Sequence, residues 1–245
     1  MRADDGGKAC CAVADVTSDK IRVSLILLKN NMTPPHVLSR RPKAPTQERG
    51  ERRVADLLRA AEHLFATAGY EATTMSGIAI LAGASIGSLY QFFPSKESIG
   101  NALLLGYMDE LDARLAIWKT ALPNTPTGFG RDLITLVLRY VAERPACRVL
   151  AQVPSLVPES YGMEKLSASV QDLLATFAPA MKRSELSAIA LAASFMIRAT
   201  LQGGEIVNAS RSRALRREMQ QALGSYLEAR LATGGAPAAP RGRRR

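Results

Sequence analysis

Cysteine is scarce in this sequence of 245 residues: Cys10, Cys11 and Cys147 are an odd number without paired spacing. That excludes a disulfide framework and a four-ligand zinc site, and it fits a reducing compartment. Histidine is scarcer still, with His36 in a loosely patterned N-terminal stretch and His63 beside an apolar helical stripe. No nucleophile–histidine–carboxylate set, paired acids or glycine-rich phosphate loop accompanies them, so neither catalysis nor a metal or cofactor is expected. Apolar runs are short. The early stretch Val23–Leu28 is broken by Ser24 and falls well below the roughly 18–20 residues that span a bilayer. Asp4, Asp5 and Asp15, with no long apolar core behind them, argue against a secretory leader. The expectation is a cytoplasmic protein with no membrane partner. Sustained alternation at period two is also missing, which excludes a sheet.

Positive charge is what the sequence has in excess: 32 Lys and Arg against 22 Asp and Glu, a formal +10. This favours a polyanionic partner, with part of the excess in the terminal tails. Hydrophobic residues at 47% and charged residues at 22% are ordinary for a globular chain long enough to bury a sizeable core. Residues 1–47 are interrupted at Gly6-Gly7, Asn30-Asn31, Pro34-Pro35, Pro42 and Pro45, and are expected to be a disordered extension. Residues 1–31 differ in composition from the rest of the chain, which makes Met32 a candidate start. The Ala/Pro/Gly-rich and then basic stretch 233–245 is expected to be a disordered tail.

From Glu51 the pattern is helical. Val54, Leu57, Leu58, Ala61, Leu64 and Phe65 form one apolar stripe, and Gly69 stops it. Thr73-Thr74 cap a short second helix through Ile78, Ala79 and Ala82. Gly83-Ala84-Ser85 make a tight turn into a third short helix from Ile86 to about Phe92, and Ser95 caps a long fourth one. That helix carries Leu104, Met108, Leu111, Leu115 and Trp118, and Pro123 and Pro126 close it. Further helices are expected near 128–143, 146–153, 160–181, 185–208 and 212–231. The fold class is all-α: a three-helix, homeodomain-like helix-turn-helix head over 48–98 and a helical body over 99–232.

The segment Ala60-Ala61…Leu64-Phe65…Gly69-Tyr70…Thr73-Thr74…Ile78-Ala79…Ala82-Gly83…Ser85…Gly87-Ser88-Leu89-Tyr90…Phe93…Ser95-Lys96-Glu97 resembles the DNA-binding head of the TetR family of transcriptional regulators. The resemblance covers about residues 52–100 and implies a third helix lying in the major groove, with Ser85, Ile86, Gly87 and Ser88 at its leading end. It implies that Gly87 lets the backbone approach DNA closely, that Tyr90 and Lys96 clamp phosphates, and that Gln91 reads a base edge. Thr74 can add its hydroxyl to a phosphate contact at the second helix's N-terminus. Arg52, with Arg49 and Arg53, is expected just before the first helix, where it can reach a neighbouring phosphate or the minor groove. Arg40, Arg41 and Lys43 can extend that arm. Ile86 and Gln91 depart from the residues most often found there, which leaves the operator sequence open.

By the same resemblance the last two helices of the body build a homodimer that reads a palindromic operator in double-stranded DNA. The candidates are Leu186, Ile189, Ala190, Ala193 and Ile197 on one helix and Leu215, Met219, Ala222, Leu223 and Tyr226 on the other. A small hydrophobic effector is expected in a body cavity lined by Trp118, Phe129, Leu133, Val137, Tyr140, Cys147, Leu150, Met163, Leu166, Phe177, Phe195 and Met196. Polar handles are few: Tyr140, Gln152, Arg198, Thr200 and Gln202. The expected function is a repressor released from DNA by that effector. The alternatives are control by a protein partner and a sequence-indifferent architectural DNA binder.

Overall fold

The computed structural model describes residues 44–157 and 159–233, and the described elements are all helical. The extension up to residue 43, with Arg40, Arg41 and Lys43, and the tail from 234 lie outside the described residues. The described residues form two compact units, 44–110 with 144–157, and 111–143 with 159–233. The first division thus falls inside a helix, and a later stretch of sequence returns to the first unit.

In the first unit α1 (Ala44–Ala68) buries Leu57, Leu58, Ala61 and Phe65, the face set by their spacing. The helix starts at Ala44, earlier than the end of the extension expected over 1–47 and the onset expected at Glu51. The reason is Pro45, a breaker by residue type, which stands in the first turn, where its missing N–H costs nothing and its fixed φ suits the helix. Arg49, Arg52 and Arg53 therefore sit on α1 itself and not on an arm before it.

Gly69 at φ +85 ends α1, in the left-handed conformation that a side chain disfavours. Thr74 then caps α2 (Met75–Leu81), its hydroxyl accepting the Gly77 N–H at 3.0 Å. Gly83 at φ +59 turns the chain, and Ser85 caps α3 (Ile86–Phe92) by accepting the Ser88 N–H at 3.1 Å. Ser95 and Ser98 exchange bonds at the start of α4 (Lys96–Trp118): Ser98 N–H to Ser95 Oγ at 3.2 Å and Ser95 N–H to Ser98 Oγ at 3.3 Å. The returning stretch brings α6 (Pro145–Leu150) against α1, shorter than the 146–153 expected. Arg144 grips Glu110 through two guanidinium nitrogens, and the Val157 N–H donates to Asn101 Oδ1 at 2.8 Å.

The second unit packs Leu111–Trp118 of α4 with α5 (Pro126–Ala142), α7 (Glu159–Leu174), α8 (Arg183–Ile206) and α9 (Ala209–Thr233). Its core holds Leu115, Phe129, Leu133, Ile134, Val137, Val170, Leu173, Leu174, Ile189, Ala193, Ile197, Leu223 and Leu227, each at most 2% exposed. α7 stops at Leu174, short of the continuous 160–181 that the apolar pattern predicts. Beyond it the backbone tightens, Thr176 N–H to Leu173 O at 3.1 Å and Phe177 N–H to Leu174 O at 3.0 Å, ahead of Pro179, which has no N–H to give. By length and mean hydropathy Arg183–Gly204 would pass for a bilayer-spanning segment, contrary to the reading that apolar runs are all short. In the fold it is the helix that fills this core, with Leu186, Ile189, Ala190, Ala193 and Ile197 buried.

Two glycines let α5 and α9 touch backbone to backbone. A Cβ on Gly130 would lie 2.9 Å from the Gly224 nitrogen, and one on Gly224 would lie 3.0 Å from the Thr127 carbonyl oxygen. Backbone cannot swing aside as a side chain can, so even Gly130→Ala overpacks this crossing. The expected cost is about 1–3 kcal/mol in urea unfolding, with the larger Gly130→Val costing more.

Candidate nucleic-acid interface

The sequence makes α3 a two-sided helix. Leu89 is fully buried and Phe93 2% exposed, which seats the helix on the head. Ile86, Gly87, Tyr90 and Gln91 are exposed and, at about 100° per residue, occupy one face of about 140°. Ser85 is exposed at the leading end and Ser88 half-buried. A Cβ on Gly87 would meet nothing within 4 Å, so no contact among the described residues requires a glycine there. Tyr90 is 51% exposed, so about half of its surface is open to an outside partner. Thr74 and Ser85 both use a lone pair for capping, and each hydroxyl keeps its proton for an outside acceptor. Arg52 is exposed on α1.

Lys96 opens α4 and is half-buried. Its ammonium donates to the Tyr70 carbonyl at 2.8 Å and the Glu71 carbonyl at 3.3 Å, and stands 4.4 Å from the centre of the Tyr70 ring. Tyr70 is buried against Phe65, and burial together with the Glu97 and Glu71 carboxylates pushes its phenol up from the ordinary value. Arg53 donates to the Gly83 carbonyl at 3.3 Å. Nothing in residue spacing announces either contact, since the partners are 26 and 30 positions apart in sequence.

The residues expected to line an effector cavity divide between the two units: Cys147 and Leu150 in the first, the others in the second. Trp118 stacks on Phe129 at 5.2 Å between centroids, and Phe177 meets the edge of the same ring at 5.3 Å. Leu133, Val137 and Tyr140 are buried, Met163 half-buried, and Leu166 and Met196 pack partly buried against the core. The Arg114 guanidinium lies 4.9 Å from the Tyr140 ring centre. Phe195 does not face inward: it is 51% exposed, because the buried stripe of α8 runs through Ala190, Ala193 and Ile197 and leaves Phe195 beside Leu191 and Ala199 on the outside. Gln152 and Gln202 are exposed as well, while Thr200 is buried with its hydroxyl on the Met196 carbonyl at 2.7 Å.

A capped helix-turn-helix head followed by a helical body defines the class of protein this is. Residues 57–103 match the family model of the bacterial regulatory proteins of the tetR family. The HTH-type transcriptional repressor KstR2 of Rhodococcus jostii is 44% identical over 80 residues, 33% of this chain and 36% of that protein. Its counterpart in Mycobacterium tuberculosis is 47% identical over 62 residues, 25% of this chain and 31% of that protein. The chain thus matches about a third of the length of these curated relatives. In overall fold it is similar to a tetR-family regulatory protein from Rhodococcus RHA1, with a TM-score of 0.51 and 19% identity over 71% of this chain and 96% of that one. A tetR-family regulator from Mesorhizobium loti gives 0.50 and 18% over 76% of this chain and 98% of that one. Over residues 57–103 the chain is thus similar to the tetR-family bacterial regulatory proteins, and in fold it is similar to solved proteins of that kind.

Cys147, half-buried on α6, has its thiol pushed up to about 11 by burial, against the weaker opposing pull of Arg144 and Arg148. At pH 8 its thiolate fraction, and with it the alkylation rate, falls roughly 100-fold below that of an unperturbed thiol. Iodoacetamide labelling read at the Cys147 peptide, native against urea-unfolded protein, is expected to show that difference.

Proposed function

We propose that this protein is a transcriptional repressor that binds a palindromic operator as a homodimer and is released by a small hydrophobic effector. The observation that carries the DNA reading is the outer face of α3, where Ile86, Gly87, Tyr90 and Gln91 are exposed on a helix anchored from behind by Leu89. A seven-residue helix is about 10 Å long, a fit for one stretch of major groove. Ser85, Ile86, Ser88 and Gln91 meet base edges, Gly87 brings the backbone close, and Tyr90, Thr74 and Arg52 hold phosphates. Residues 48–98 act as the DNA-binding part and 99–232 as the effector and dimer part. The name of the relatives, transcriptional repressor, supports the sign of regulation.

Of the dimer candidates given by sequence, Leu186, Ile189, Ala190, Ala193, Ile197 and Leu223 are buried in their own chain. The dimer face proposed instead is the other side of α8, where Ala188, Leu191, Phe195, Ala199, Gln202 and Ile206 are exposed at helical spacing. Leu191 is 43%, Phe195 51% and Ile206 84% exposed. Ala222 on α9 is exposed too and remains a candidate. The effector's hydrophobic character is supported by the aromatic group of Trp118, Phe129 and Phe177 in the body. It acts by preferring the arrangement in which the two heads are wrongly spaced, and it weakens DNA binding by that difference in affinity.

Two outcomes test this. Gly87→Ala is expected to leave the fold unharmed or more stable by up to about 1 kcal/mol, yet to weaken operator binding at least tenfold in an anisotropy titration. In the same assay Gln91→Ala relaxes preference at one base position by about 1–3 kcal/mol, while Tyr90→Phe weakens all sequences alike. Unchanged binding by the Gly87 variant would remove the close-approach reading. Phe195→Glu with Leu191→Glu is expected to give monomers in sedimentation and weak binding to the inverted repeat. A persistent dimer would place the interface elsewhere.

A further inference from the structure

The positive charge of this chain is not concentrated in its head. Residues 48–98 carry five Lys and Arg against six Asp and Glu, so the helix-turn-helix has no positive surplus. Residues 99–232 carry fifteen against twelve, and four of the fifteen stand close together. Arg211, Arg213, Arg216 and Arg217 fall within the first nine residues of α9, with no acidic residue among them. All four are exposed, and among the described residues none of their guanidiniums has an ion-pair partner. At the end of the neighbouring α5, Glu143 is already bonded by Arg114 and by Arg139, each at 3.0 Å. At about 100° per residue, Arg213, Arg216 and Arg217 lie within an arc of about 100°. Like charges three and four positions apart repel, and cations near a helix N-terminus oppose its dipole. The opening of α9 therefore holds these charges together against its own stability. Further along, the same side of the helix carries Leu223, Gly224 and Leu227, which are buried. One face thus passes from packed core to an open row of guanidiniums.

We propose that Arg213, Arg216 and Arg217, with Arg211 beside them, form a second DNA-binding surface on the body, which holds the phosphate backbone of a duplex without regard to sequence. This surface rests on the DNA-binding reading and supplies what the head lacks. The acids of the head offset its cations at a distance, so long-range attraction to a polyanion has to come from elsewhere in the chain. A guanidinium presents a planar fork of N–H donors that fits phosphate oxygens, and these arginines give up no ion pair to meet one. Along the axis of α9, positions 213 to 217 span about 6 Å, the reach of two neighbouring phosphates on one strand. The partner is duplex DNA because the exposed face of α3 already brings one to the chain.

The experiment uses the full chain as wild type, as the triple variant Arg213→Gln, Arg216→Gln, Arg217→Gln, and as a charge-matched control. The control, Lys119→Gln, Arg131→Gln, Lys182→Gln, removes three other exposed cations of the same unit. Affinity is measured from about 50 to about 200 mM salt, for a random-sequence duplex and for a fragment that the wild type enriches. The triple variant is expected to bind both DNAs at least tenfold more weakly at low salt. Its log–log salt slope is expected to be shallower by about 2, with the preference between the two DNAs unchanged. The control keeps the wild-type slope. A triple variant with the wild-type slope, or a control that loses as much, overturns the proposal. Without DNA, the thermal midpoint of the triple variant is expected to be unchanged or raised, since repelling charges have been removed. A fall of several degrees assigns the arginines to the fold and overturns it as well. If the wild type enriches no fragment, the operator reading fails, and the slopes on random DNA still decide the surface. A wild type that binds no DNA ends both.

Discussion

Leu89 has to be buried for anything on α3 to point outward in a fixed direction. Seven residues are too few for a helix to hold itself in water, so α3 exists because Leu89 and Phe93 are seated in the head and Ser85 supplies a cap. That anchoring determines which residues remain on the outside. With Leu89 inward, the helical period turns Ile86, Gly87, Tyr90 and Gln91 outward together. The rest of the first unit serves the same end: the α1 stripe provides the floor for α2 after the Gly69 bend, and the Gly83 bend sets α3 against α2.

Local chemistry in this head is legible because it is written within four residues. Gly69, Thr74, Gly83, Ser85 and Ser95 each act on neighbours in sequence, and each does in the fold what its residue type implies. Pro45 misleads because proline has two meanings, breaker inside a helix and starter in its first turn, and spacing alone does not choose between them. Lys96 and Arg53 are beyond reach for another reason. Their partners are carbonyls, which every residue has, so no side-chain pattern marks them.

The body shows the same limit from the apolar side. α8 is apolar over most of its circumference, so the stripe of Ile189, Ala193 and Ile197 and the stripe of Leu191, Phe195 and Ile206 compete as core faces in the sequence. Packing decides between them: α7 and α9 cover the first and leave the second bare. The crossing of α5 on α9 at Gly130 and Gly224 is a further case, since the pairing of two glycines far apart in sequence emerges when the helices meet. What the family resemblance implies for the body is a layout, and the particular faces come from the fold.

The central claim is that the α3 face reads a specific DNA sequence twice. The most direct measurement is selection of bound fragments from a random DNA pool by the purified protein at a stated, moderate salt concentration. The account predicts enrichment of an inverted repeat whose half-sites are about one or a multiple of one helical turn apart. Binding without enrichment, vanishing as salt rises, would reduce the interaction to charge attraction and contradict it.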